Sequence, residues 1–270
     1  MNKKSPAPAP TITKSQSVFD FTFKIKCIIL AAVAFIFYIN TVTNEYALDD
    51  SLVILNNNYV QKGFSGIGKI LTTDTYDSFN RYMHADGTQQ LSGGRYRPLS
   101  VIIFAIEHQL FGESSSLRHF ISVLAYMGCI LSIFYFTSNF LLKKIKWGDD
   151  IAFLASLLFA IHPLHTEVVA NIKSLDEILS LTLIMLTFIF SLLYIEKKQM
   201  KHLIFGMSTF FLALMAKEYA ITLIVLLPLL FYLLSEEKPV ESLKRAIPYF
   251  VIVAFYLVIR FAAVGIPHSL

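Results

Sequence analysis

Charged residues are sparse along the chain and fall into short groups that separate long apolar stretches. Seven stretches carry no Asp, Glu, Lys or Arg: 27–44, 119–142, 151–166, 178–195, 202–216, 219–235 and 246–259. They run for 18, 24, 16, 18, 15, 17 and 14 residues. A membrane-spanning helix needs about 20 mostly apolar residues, with a range of about 17–25. The shorter stretches reach that length when flanking Lys, Arg or Asp side chains extend to the interface. The pattern predicts an all-α, polytopic membrane helical bundle of about seven spans. Residues 202–235 are too long for one helix, and Lys217 and Glu218 sit at their middle. A helical hairpin with those two charges at its turn is expected there.

Residues 98–111 are apolar too, but they number only 14 and hold Glu107 and His108. Parity decides how they are read. Basic clusters lie at 3–26, 143–146, 197–201 and 238–245, and together hold 14 of the 23 Lys and Arg. They fall on one side only if 98–111 does not span, and the positive-inside rule makes that side cytoplasmic. The segment is therefore expected to be an interfacial or re-entrant helix within a long outer first loop, 45–118. Residues 162–177, the Lys217–Glu218 turn and the end after Arg260 also fall outside. Residues 1–23, with Pro6, Pro8 and Pro10, read as a flexible cytoplasmic tail before a membrane domain at 24–270. The apolar run behind them lacks a small-residue cleavage pattern and reads as a retained helix.

Composition agrees. Hydrophobic residues make up 55% of the chain and charged residues 16%, against roughly 25% charged in a soluble domain. Mean hydropathy is +0.60. These values exclude a soluble enzyme, a disordered chain and a secreted disulfide scaffold. A scattered net charge of +4 argues against a nucleic-acid partner. Cys27 and Cys129 both lie in apolar runs and read as small hydrophobes.

The outer face carries the candidate chemistry. The first span ends in Glu45-Tyr46-Ala47-Leu48-Asp49-Asp50. Low dielectric and mutual repulsion raise one pKa of an acidic pair and make it a better proton acceptor. The competing reading is a solvated loop start or a helix N-cap at Asp50. Gly63 to Ile67, Gly87 and Gly93-Gly94 mark turns. Arg95-Tyr96-Arg97 suits a phosphate, because guanidinium offers a planar donor fork; anchoring to lipid headgroups explains it equally. His162-Pro163-Leu164-His165-Thr166-Glu167 lacks the helical spacing of zinc peptidases, and a substrate-lining or structural role outweighs metal. Asp176 and Glu177 suit a helix N-terminus. Lys217-Glu218 also reads as a self-neutralising turn pair. Arg260 sits late in an apolar run, where charge is costly and often functional, or else anchors a helix end.

These pieces and their order resemble the GT-C superfamily of polyprenyl-phosphate-sugar-dependent glycosyltransferases. The likeness is to the transmembrane and tetratricopeptide-repeat O-mannosyltransferases and their bacterial relatives, and it runs from about residue 40 onward. It rests on Asp49-Asp50 with Ile54 and Asn56, Gly63–Ile67, Tyr96-Arg97-Pro98-Leu99, Phe111-Gly112, the stretch Phe159–Ala170, Asp176-Glu177-Ile178-Leu179, Ala216-Lys217-Glu218, and Arg260–Gly265. His162–Glu167 is the most specific piece. The resemblance implies transfer of a hexose such as mannose from a polyprenyl-phosphate donor to a hydroxyl of a protein or glycan, on the non-cytoplasmic face. Membrane lipid, the lipid-linked donor and the acceptor are then the partners, with no metal and no other cofactor. It implies that Asp49 or Asp50 is the general base. Arg97, Lys217 and Arg260 would stabilise the phosphate leaving group, and His162, His165, Glu167 and Glu218 would line the substrate site. The membrane would be a bacterial inner membrane, or the endoplasmic reticulum in a eukaryote.

Two departures stand out. Relatives carry a basic residue just before the acidic pair at 176–177, where this chain has Leu175. Relatives also continue into more spans and repeats, so the chain reads as the front part of a longer enzyme. Inactive truncated relative, membrane scaffold and transporter are the competing functions. A membrane-impermeant thiol reagent applied to intact cells is expected to label cysteines placed within 45–118. Cysteines at positions 97 and 118 reacting from opposite sides would overturn this topology and revive transport.

Overall fold

The computed structural model describes residues 19, 21–83, 94–235 and 238–265. The tail at 1–18, and Gly87 and Gly93, lie outside the described residues. All regular structure among the described residues is helical. The helices are α1 (Phe23–Tyr38), α2 (Asn58–Gln61), α3 (Ile67–Thr72), α4 (Asp77–Met83), α5 (Pro98–Phe111), α6 (Ser115–Phe136), α7 (Gly148–Ala160), α8 (His165–Ala170), α9 (Leu175–Lys197), α10 (Met200–Ala216), α11 (Leu223–Ser235) and α12 (Pro239–Val264). Tight helical turns extend α1, α6 and the start of α11.

Specific contacts give the seven long segments their directions. At one end, Lys26 of α1 pairs with Asp149 and Asp150 at the start of α7, and Lys143 after α6 pairs with Glu196 near the end of α9. At the other end, the first turn of α9 meets the α10–α11 turn and the residue before α5, and Arg260 of α12 reaches Gly94. All seven expected stretches fall on helices. Five of the helical segments are long and apolar enough to cross a membrane; α10 is a shorter apolar helix. The protein is thus an integral membrane helical bundle. At 13 residues, α7 reaches only about 20 Å at 1.5 Å per residue. Polar contacts hold both its ends: Asp150 to Lys26 at 2.6 Å, and the Ala160 carbonyl to the Tyr126 hydroxyl at 3.1 Å.

α5 behaves differently. Arg97 at its start and Glu107 near its end both contact residues at the same end of the bundle, Asp176 and Arg118. The helix lies across that end and packs on the first-loop helices. The 63–66 turn fits tightly there. Gly63 has φ +57°, and a side chain at Gly66 would meet the Tyr59 carbonyl oxygen at 1.9 Å. This is a packing reason for the Gly63–Ile67 piece.

Three apolar clusters fill the interior. One joins α9 to α12, one joins α1, α6, α7 and α8, and one lies beneath the first loop and α5. α9 contributes to all three, through Ile184, Ile178 and Leu175 respectively. Outward faces such as Ile36, Val225 and Val258 are exposed and apolar, as lipid contact requires.

Lys26 is buried in this bundle and is neutralised by two carboxylates. Lys26→Met leaves Asp150 buried without that cation, a change that costs about 3–5 kcal/mol. A marked fall in the unfolding midpoint in detergent is expected, with partial recovery when Asp150→Asn is added.

Candidate functional site

The Arg97 end gathers side chains from four distant segments. Arg97 is the residue before Pro98, where the chain is biased to extended backbone; its φ is −131° and ψ is 56°. Its N–H donates to Thr75 Oγ1 at 3.2 Å. From there the guanidinium reaches inward, with Nη1 donating to Asp176 Oδ2 at 3.0 Å and Nε to Glu218 Oε2 at 2.9 Å. Asp176 is almost wholly buried, and its Oδ2 also takes Lys173 Nζ at 3.4 Å. Asp176 Oδ1 has no hydrogen-bond partner. Lys217 pairs with Glu177. Three cations thus face three carboxylates. Lys217 and Glu218 each pair across the site rather than with one another. Burial, together with Arg97 and Lys173, pushes the Lys217 ammonium down to about 8, against the pull of Asp176 and Glu218.

Asp50 joins this network through the backbone. It is fully buried. Its Oδ1 accepts the Lys173 N–H at 2.7 Å and its Oδ2 the Ala47 N–H at 3.0 Å. Burial raises its pKa, while those N–H donors pull it back. Asp49 is only partly buried, so its carboxylate lies at the surface of the same turn.

Arg95 and Arg97 part company. Arg95 donates to the Tyr76 hydroxyl at 2.9 Å and lies over that ring, while Tyr96 is buried between them with its hydroxyl on the Leu71 carbonyl. Asp74 holds this strip, accepting the N–H groups of Gly94 and Arg95 on Oδ2 at 2.7 and 2.8 Å. Arg260 Nη2 donates to the Gly94 carbonyl at 2.8 Å, and its Nε is buried without a partner.

The His162–Glu167 stretch sits apart from the ion pairs and closes the end of α7. His165 Nδ1 contacts the Phe159 carbonyl at 2.8 Å and the Tyr126 hydroxyl at 3.0 Å. His162 Nδ1 accepts the Leu164 N–H at 3.3 Å. His162 and Glu167 are exposed. Among the described residues no group of three or more His, Cys, Asp or Glu is arranged to hold a metal.

Sequence reasoning missed Lys173 and Asp74. Lys173 supplies the basic group that Leu175 does not, three residues before Asp176. The lysine-to-aspartate spacing on an incipient helix was its signal.

Residues 97–264 match the family described as dolichyl-phosphate-mannose-protein mannosyltransferase. The match covers more than half of the chain, and the chain belongs to that family. It starts at Arg97, after Asp49 and Asp50. The chain is similar to protein O-mannosyl-transferase TMTC1 of Homo sapiens, 29% identical over 60% of this chain and 17% of that protein. It is also similar to protein O-mannosyl-transferase Tmtc1 of Drosophila melanogaster, 27% identical over 73% and 21%. A protein O-mannosyl-transferase of Caenorhabditis elegans is 28% identical over 56% and 21%. The chain spans about a fifth of the length of these curated relatives. No solved structure gives a significant match.

Lys217 offers a direct check of the site's electrostatics. Its reaction with an amine acylating reagent is expected to rise with a midpoint near pH 8. Arg97→Gln removes a cation and moves the midpoint up; Glu218→Gln removes an anion and moves it down. Between about 8 and the ordinary lysine value the unfolded chain holds more protons, so this group makes stability rise with pH in that window.

Proposed function

We propose that this chain carries the acceptor and phosphate side of a membrane mannosyltransferase. The enzyme moves mannose from a polyprenyl-phosphate donor to a protein hydroxyl on the non-cytoplasmic face. In a bacterium that face is the outer side of the inner membrane; in a eukaryote it is the lumen of the endoplasmic reticulum. The observation that carries the reading is the meeting of Arg97, Lys173, Lys217 and the acidic 45–50 turn at one end of a bundle of this family.

Asp49 is the proposed base. Asp50 has both oxygens occupied by backbone N–H groups and no exposure, whereas Asp49 is partly open. Asp49 takes the proton from the acceptor hydroxyl. The hydroxyl oxygen then bonds to the anomeric carbon as the carbon–oxygen bond to phosphate breaks, and the leaving phosphate keeps that electron pair. Arg97, Lys217 and Arg260 stabilise the charge that develops on it. Glu218 is the partly exposed acid on Arg97 and yields its place to the phosphate. His165 braces the outer end of α7, and His162 and Glu167 line the approach from solvent.

The test uses the full-length gene product in membranes, with a polyprenyl-phosphate mannose donor and a protein acceptor. Asp49→Asn is expected to lower transfer by about 10²–10⁴-fold at unchanged protein abundance. Unchanged transfer in Asp49→Asn overturns the assignment, whatever Asp50→Asn does.

A further inference from the structure

The end of the bundle opposite Arg97 holds a cleft of about 410 Å³ that the proposed transfer does not use. It opens between the close of α6, the start of α7 and the close of α9. Four charged side chains line it: Lys143, Asp149, Glu196 and Lys197. Two are cations and two are anions, so the lining offers both signs in balance. Leu193 also lines it, one helical turn along α9 from Lys197, about 6 Å at 1.5 Å per residue. Tyr135 lines it too, just before the Thr137–Leu141 turn that extends α6. The wall therefore passes from charged to apolar along the direction of the spans.

The backbone sets these walls. In the link before α7, the Ile145 N–H donates to the Leu142 carbonyl and the Gly148 N–H to the Ile145 carbonyl, both at 2.9 Å. A side chain at Gly148 would collide with the Leu142 carbonyl. Asp149 is held by Lys26 and by the Ser138 hydroxyl. Lys143 and Glu196 meet at 2.9 Å, with both side chains about half exposed. Such an exposed pair contributes little and opens at small cost to a ligand that carries both charges. Around the cleft, Tyr135, Leu141, Ile145 and Trp147 are exposed, and Lys146 lies over the Trp147 ring, 4.5 Å from its centroid. Aromatic rings and lysines gather in this way where a membrane meets water.

Basic pockets between spans take lipid headgroups. The two carboxylates add a demand that a purely anionic headgroup leaves unmet. A primary ammonium donates hydrogen bonds to carboxylates, and a trimethylated one has no N–H to give. We propose that this cleft seats the headgroup of a phosphatidylethanolamine lipid. Its phosphodiester lies on Lys143 and Lys197, its ammonium on Glu196 and Asp149, and the start of an acyl chain against Tyr135 and Leu193. The site stands at the far end from the Arg97 cluster and does not rest on the transferase reading.

Trp147 is the only tryptophan in the chain and adjoins Gly148 of the lining, so its fluorescence reports occupancy. This chain is placed in phosphatidylcholine vesicles. Phosphatidylethanolamine or phosphatidylcholine, brominated near the headgroup end of the acyl chains, is then added in small amounts. Both lipids are neutral overall, so diffuse attraction to the basic end favours neither. The ethanolamine lipid is expected to quench Trp147 at about fivefold lower content, the scale of one net hydrogen bond. Glu196→Gln and Lys197→Gln are each expected to abolish that preference. Glu241→Gln and Lys201→Gln, at the same end but outside the lining, are expected to keep it. Equal quenching by the two lipids overturns the site, as does a preference that survives both lining variants. Stronger quenching by brominated phosphatidylglycerol overturns the role of the carboxylates. Displacement by soluble phosphoethanolamine overturns the lipid as occupant.

Discussion

Arg97 has to satisfy two carboxylates at once, and the arrangement of its end of the bundle follows from that. Its fork spans Asp176 on α9 and Glu218 on the α10–α11 turn, two segments whose own helices pack side by side. Pro98 starts α5 immediately afterwards, so the residue that bridges α9 and α10 also sets where the crossing helix begins. A lysine in its place would keep the charge and lose the second bond. The cost of burying a guanidinium is met by two acids held toward it, Asp176 by the first turn of α9 and Glu218 by the reversal after Ala216.

The balance of three cations and three anions shapes what this end can accept. A free cluster of lysines would draw any anion from solution. Here each cation is already engaged, so an anion enters only by taking a partner's place. The carboxylate most open to exchange is the least buried on Arg97, Glu218. That condition favours a ligand held by other contacts as well, as a lipid-linked phosphate is by its chain. Lys217, whose ammonium is weakened by burial and then by its cationic neighbours, gains most from an added negative charge.

The sequence made the architecture readable because membrane burial writes itself into long uncharged runs, and all seven runs became helices. It made α5 readable through parity of the basic clusters. Pairing was harder to see. Asp176 and Glu177 looked sufficient as helix-start acids, and they are that as well; their partners lie 79 and 40 residues away in the chain, at Arg97 and Lys217. No spacing rule reaches so far. The two arginines flanking Tyr96 looked like one site, yet Arg95 goes to the Tyr76 hydroxyl while Arg97 turns to Asp176 and Glu218. The two acids at 49 and 50 were indistinguishable as letters and differ in burial once the chain turns back on the segment before α9.

The pairing of Lys26 with Asp150 also has a history in time. The two residues are separated by 124 positions, and synthesis at about 5–20 residues per second puts roughly 6–25 s between them. During that interval α1 enters the membrane with an ammonium that has no carboxylate to meet. A lysine in the first turn of a helix can hold its head at the interface, so α1 can wait in place. The counter-charge for Lys26 comes from α7, 124 positions later, so this buried ammonium is neutralised only once the chain as far as α7 has been made.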